Sequence, residues 1–240
     1  MLPDTIPTKS AAAGQPIVRR RALGSEETDS LFEHVAWLYA FCRENVFRDD
    51  TERIISLLWP DHQPRPGTKL MELGCGPGFY SRKLARRFPQ LSVTGIDRSE
   101  RQILWARARA RSEAIQNCVF ERVNALEIPW DDRRFDVLIT SRLFTVLRDP
   151  ERAIGEMFRV LRPGGRCFIA EPRYAFSASI PLMTMWLLAR CSHSGNGYRE
   201  PRKATVYSGN ELRSLIGVQP WTTLETWCNG RYHYALCQKG

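Results

Sequence analysis

The sequence predicts an α/β fold, a mostly parallel sheet with helices packed on both faces. From residue 67 onward, short apolar runs alternate with longer segments of helical apolar spacing. Strands alternating with helices at this spacing pack as parallel crossovers. A third observation qualifies the first two: Asn229-Gly230 lies between two runs rich in Thr, Trp, Tyr and Cys, a hairpin turn signal. The sheet is therefore expected to end in an antiparallel pair.

Residues 1–28 mix Pro, Gly, Ala and Ser with the run Arg19-Arg20-Arg21 and read as a flexible tail. Residues 29–66 read as an N-terminal helical cap. Phe32, Val35, Leu38, Tyr39 and Phe41 supply the apolar face of a first helix, and a second spans 51–59. Pro64-Arg65-Pro66-Gly67 then breaks the chain before a single domain, 67–240. Strand 69–73 leads to helix 79–88, and strand 91–96 to helix 99–115, for which Ser99 is the expected cap. Strands follow at 118–123 and 135–140. Asp149-Pro150 opens a helix running to 161, since Pro suits a first helical turn. Arg162-Pro163-Gly164-Gly165 reads as the turn that ends it and feeds strand 166–170. An insertion at about 174–207 holds an apolar helix (175–189) and a polar loop (192–202). A short helix (208–215) and the hairpin arms 221–228 and 231–237 complete the domain.

The hydrophobic fraction of 43% provides material for a core, and 25% charged residues suit a soluble surface. The net charge of +9 favours acidic or phosphate-bearing partners. No nucleic-acid motif accompanies it, and Arg101, Arg107, Arg109 and Arg111 read as a solvated helix face, so nucleic acid is not an expected partner. The seven cysteines include no CxxC pair, which speaks against a zinc site or disulfide framework and suits a reducing cytoplasm. The N-terminus carries no secretory pattern. The uncharged stretch 175–189 is shorter than the ~20 residues of a membrane span. It reads equally as a lid for a hydrophobic substrate touching lipid peripherally, or as a core or homodimer helix.

Gly74, Gly76 and Gly78 follow the first strand and precede a helix. At such a turn the chain turns tightly and approaches a ligand closely. The spacing is G-x-G-x-G, and Phe79 occupies the third glycine position of the dinucleotide fingerprint, which weakens that reading. Asp97 ends the second strand about 20 residues on, where a carboxylate can accept from ribose hydroxyls; a helix-capping aspartate is the alternative.

Five ordered motifs extend this pattern. They are Glu72-Leu73-Gly74-Cys75-Gly76-Pro77-Gly78, Gly95-Ile96-Asp97, Asn124-Ala125-Leu126-Glu127-Ile128-Pro129-Trp130, Phe135-Asp136-Val137-Leu138-Ile139 and Val160-Leu161-Arg162-Pro163-Gly164-Gly165. Over residues 70–172 the chain resembles the class I S-adenosylmethionine-dependent methyltransferases, in particular the small-molecule branch that includes quinone-ring enzymes. The resemblance implies a doubly wound, Rossmann-like sheet of seven strands with the last antiparallel, and S-adenosylmethionine as cofactor. It places Gly74, Cys75 and Gly76 against methionine and ribose, Glu72 as organiser of the loop, and Asp97 on the ribose hydroxyls. Arg98 would lie near the adenine face, Asn124 and Ala125 at the adenine edge, and Ser141 near the methionine end. The family commonly carries Asp where this chain has Asn124, and an amide oxygen can still accept there.

Methyl transfer is an in-line displacement that needs orientation and a desolvated nucleophile rather than a metal. An oxygen or carbon nucleophile also calls for a general base. Thr145 and Val146 stand where the family often has paired histidines, so no catalytic base is assigned. Arg142, Tyr174 and His193 are the candidates for substrate contact. The expectation is transfer of methyl to an oxygen or carbon of a small hydrophobic metabolite. An RNA or protein methyltransferase, and a non-catalytic S-adenosylmethionine-binding partner subunit, remain alternatives.

Overall fold

The computed structural model describes residues 48–174 and 205–240. Within them run α1 (Thr51–Leu58), β1 (Lys69–Leu73), α2 (Phe79–Arg87), β2 (Ser92–Asp97), α3 (Glu100–Ser112) and β3 (Cys118–Arg122). Then come β4 (Phe135–Ser141), α4 (Pro150–Val160), β5 (Leu161–Pro172), α5 (Gly209–Ile216), β6 (Trp221–Asn229) and β7 (Tyr232–Lys239). The strands form one seven-stranded sheet in the order β3-β2-β1-β4-β5-β7-β6. Pairing is parallel from β3 to β5, and β7 runs antiparallel to both of its neighbours. The expected seven-stranded, mostly parallel sheet with a reversed last strand is observed.

Alternation along the strands builds two cores. Leu70, Ile139, Phe168 and Tyr234 face Ile54 of α1, Leu84 of α2 and Ile103 of α3. Met71, Leu138, Ile169 and Ala235 face Met157 of α4 and Leu212 of α5. Central strands covered on both sides must be apolar on both sides, which explains runs such as Lys69–Leu73, buried from its second residue onward.

Local chemistry sets the helix ends. Ser99 Oγ accepts the Gln102 N–H, the expected N-cap of α3. Asp149 accepts from the Arg152 N–H, with Pro150 in the first turn of α4. Ser208 and Glu211 form a reciprocal capping box at the start of α5. Ahead of α1, buried Asp50 accepts the Tyr234 hydroxyl at 3.1 Å and pairs with Arg48 and Arg53, holding this helix to β7.

One boundary departs from expectation. Arg162-Pro163-Gly164-Gly165 is not a turn ahead of β5 but lies inside it, because Leu161 already pairs with Phe135. The register shifts between Phe135 and Val137, and Gly164 takes a φ of +75°, so the extra residues form an irregularity in the strand. The Arg162 guanidinium clamps it through Asp136 at 2.7 Å. The expected helices at 32–41 and 175–189 and the polar loop at 192–202 lie outside the described residues. No helix among the described residues is long and apolar enough to cross a membrane.

Candidate functional site

The carboxyl ends of β1, β2, β4 and β5 converge beside the glycine turn. Gly78 ends that turn at a φ of +76° as the N-cap of α2. A Cβ there would stand 2.5 Å from the Phe120 ring, so backbone conformation and packing both demand glycine. Gly74 has a φ of +66°, and a Cβ on it would meet Leu143 Cδ1 at 2.9 Å. The first turn of the fold therefore lies directly against the segment that follows β4.

Asp97 ties the turn to the neighbouring strands. Its Oδ2 accepts the Gly76 N–H and its Oδ1 the Ser99 N–H, both at 2.9 Å. Its backbone carbonyl accepts the Val123 N–H at 3.0 Å, and the Cys75 N–H donates to the Ile96 carbonyl at 2.9 Å. The carboxylate expected to face ribose is thus also the anchor of the loop backbone. Buried Glu72 accepts from both the amide and the hydroxyl of Ser81 through Oε2, which fastens the start of α2 to β1. Cys75 is buried, and desolvation, followed by the nearby Asp97 and Glu72 charges, pushes its thiol pKa well up. It is a small apolar lining group rather than a nucleophile.

The remaining expected cofactor residues lie around the same strand ends. Arg98 is exposed just past β2. Asn124 Oδ1 accepts the Leu126 N–H, an Asx turn that fixes the loop after β3, and Ala125 beside it is buried. Arg159 of α4 holds the rest of that loop through the carbonyls of Ile128 and Trp130, each at 2.8 Å, and through Asp132. Ser141 ends β4 opposite Ala170 of β5.

The substrate candidates separate. Arg142 takes a φ of +62°, and its Nη1 donates to the Tyr232 hydroxyl at 3.0 Å. Tyr174 is exposed beneath the Arg173 guanidinium. His193 lies outside the described residues. Thr145 is buried with its hydroxyl on the Arg142 carbonyl, and Val146 is exposed.

Sequence reasoning missed Glu171. It sits near the end of β5, fully buried, with Oε1 accepting the N–H groups of Leu143 at 2.9 Å and Phe144 at 3.0 Å. Its Oε2 is buried and has no hydrogen-bond partner among the described residues. Burial raises its pKa to about 7, although the backbone N–H groups of Phe144 and Leu143, the Arg142 charge and the Thr145 N–H pull the other way. His233 is its cross-strand partner on β7, and the Glu171 charge is felt at Tyr207 ahead of α5. The available signal was a carboxylate closing the apolar run Cys167-Phe168-Ile169-Ala170.

A family model described as a methyltransferase domain matches residues 64–216. The chain belongs to this methyltransferase family. Among curated relatives of this methyltransferase domain, 27-O-demethylrifamycin SV methyltransferase of Amycolatopsis mediterranei is 35% identical over 45% of this chain and 39% of its own length. The ubiquinone/menaquinone biosynthesis C-methyltransferase UbiE of Roseobacter denitrificans is 29% identical over 60% of each chain. The chain spans between about a third and three fifths of the length of the curated relatives it matches. A phosphoethanolamine N-methyltransferase 2 of Haemonchus contortus, solved with S-adenosylhomocysteine, shares the fold at a TM-score of 0.65. That likeness has 14% identity and covers 86% of this chain and 57% of that one.

Proposed function

We propose that this chain binds S-adenosylmethionine at the β1–α2 turn and transfers its methyl group to an oxygen or carbon of a small hydrophobic metabolite in the cytoplasm. The observation that carries the reading is Asp97, a carboxylate at the end of β2 bonded to the Gly76 N–H of the glycine turn. A carboxylate presents about four lone-pair directions and can accept from ribose hydroxyls as well as from backbone donors. The donor set suits the ligand. Positive-φ glycines offer close backbone approach for methionine and ribose, and Asn124 with buried Ala125 offers a polar and an apolar contact for adenine. Glu72, Cys75, Arg98 and Ser141 complete the proposed cofactor shell, with Arg142, Tyr174 and His193 toward the acceptor.

S-adenosylmethionine bound there supplies an electrophilic methyl on a positively charged sulfur. The chain's part is to orient and desolvate, which is where such a displacement gains most of its rate. The relatives named for rifamycin and quinone methylation support a small hydrophobic acceptor. The cytoplasmic reading rests on the cysteine pattern, seven residues with no CxxC pair.

Isothermal calorimetry tests the cofactor claim, and absence of binding at about millimolar S-adenosylmethionine removes it. Asp97→Ala is expected to weaken binding by about tenfold or more, the loss of charge-assisted bonds to the loop and ribose. An unchanged affinity takes Asp97 out of the site. Methyl-labelled cofactor incubated with lipid and quinone extracts identifies the acceptor. Labelling of bulk RNA instead supports an RNA methyltransferase.

A further inference from the structure

We infer that Glu171 is a positioning residue, its carboxylate setting the glycine turn through the segment that follows β4. This rests on the reading of the β1–α2 turn as the cofactor site.

The route is short and continuous. Glu171 Oε1 accepts two successive backbone N–H groups, from Leu143 and Phe144. The side chain between them and the cofactor turn is Leu143, whose Cδ1 stands where a Cβ on Gly74 would come within 2.9 Å. The segment enters through Arg142 at a φ of +62°, a conformation that non-glycine residues adopt only where the surroundings over-determine it. Four further contacts do so here. The Arg142 N–H donates to the Ala170 carbonyl at 2.8 Å, its guanidinium reaches Tyr232, Thr145 Oγ1 returns to the Arg142 carbonyl, and the Thr145 carbonyl accepts the Thr205 N–H. The only carboxylate in this set is Glu171. Phe144 is fully buried and Leu143 nearly so, which lets a change in the turn pass to Gly74 rather than relax into solvent.

A fully buried carboxylate is a poor choice for stability alone, since an amide or an apolar residue avoids the cost of desolvating a charge. What the carboxylate adds is charge. Bonds from N–H groups to an ionised acceptor are roughly twice as strong as to a neutral one. With its pKa raised to about 7, Glu171 changes that strength within the neutral range. Ionised, it grips the turn; protonated, it holds it more weakly. The Arg142 guanidinium on the turn favours the ionised form of Glu171. Tyr207, ahead of α5, is shifted up by burial, Glu171 and Glu211, and the His233 pKa on β7 is shifted down by burial and Arg173.

The test uses the full chain and acceptor-free binding of S-adenosylmethionine by calorimetry. Wild-type affinity is expected to rise about threefold to tenfold between about pH 6 and pH 8, with its midpoint near the Glu171 pKa. Glu171→Gln keeps an acceptor oxygen for the turn but has no proton to lose. Its affinity is expected to be flat across this range and to match the weaker wild-type limb. S-adenosylhomocysteine, whose sulfur is neutral, is expected to show the same wild-type slope. A slope retained by Glu171→Gln, or a flat wild type, overturns the proposal. So does a slope seen with S-adenosylmethionine and not with S-adenosylhomocysteine, which assigns the effect to a direct charge contact. If the wild type binds neither ligand at any pH, the cofactor reading itself fails, an outcome separate from the others.

Discussion

Gly78 is the residue at which backbone and packing constraints coincide most tightly. Its φ of +76° costs a side chain dearly, and the Phe120 ring fills the space a Cβ would take. Gly78→Ala is expected to lower stability by roughly 2–4 kcal/mol in urea titration, combining left-handed strain with overpacking. Phe120→Leu in the same chain should recover part of that loss, because the two positions share one contact. Glu171 has the opposite signature. Its carboxyl titrates at 4.5 ordinarily and at about 7 in the fold, so the folded state holds an extra proton between those values. Stability contributed by the protonated form is fully present below about pH 4.5, declines toward pH 7, and is level above it. Glu171→Gln should therefore be the more stable protein at about pH 8, by up to ~3 kcal/mol, with the difference vanishing near pH 5. Paired chemical denaturations at the two pH values check this. A stabilising loss of charge at the edge of a site marks a residue held for function rather than for folding.

At the scale of elements, the loop between β3 and β4 shows how a binding edge is kept in place without secondary structure of its own. Its first residues are fastened by the Asn124 Asx turn and by the Val123 N–H bond to Asp97. Beyond that, Arg159 reaches two of the loop's carbonyls and Asp132 while bracing itself on Glu156, and Arg162 Nε bonds the Arg133 carbonyl. Glu156 in turn accepts the Ile128 N–H at 2.7 Å. The fork of a guanidinium makes this possible, and a lysine ammonium cannot span the same acceptors. Arg159→Lys is expected to cost about 1–3 kcal/mol of stability. It should also weaken S-adenosylmethionine binding severalfold by loosening the adenine edge, and calorimetry paired with thermal melting separates the two effects. Unchanged affinity alongside lowered stability would confine Arg159 to a structural role.

At the scale of the whole molecule, part of the described charge holds the fold together. Two of the arginines expected on a solvated face of α3 are partly buried: Arg107 donates to the Phe120 carbonyl at 2.7 and 3.0 Å, and Arg109 lies over Trp105. Some of the basic side chains behind the net charge of +9 therefore fix helices and loops. The two faces of the sheet divide the work. Helices α1, α2 and α3 pack the side from which Glu72 braces the start of α2, and α4 and α5 pack the side that carries His233 and Tyr207 around Glu171.

The sequence by itself determined the alternation of strands and helices, the glycine turn, Asp97, the Ser99 cap and the hairpin at Asn229-Gly230. Each is written in a few adjacent residues, as apolar period, turn chemistry or a capping side chain. Only the tertiary structure decided that β7 slots between β5 and β6, that β5 starts at Leu161, and that Asp97, expected on the ribose hydroxyls, also bonds the backbone of the glycine turn. It alone brought Glu171 onto the turn after β4. Strand neighbours and buried carboxylates are matters of contact between residues distant in the chain. Burial, which moves the Glu171 proton into the neutral range, exists only once those residues meet.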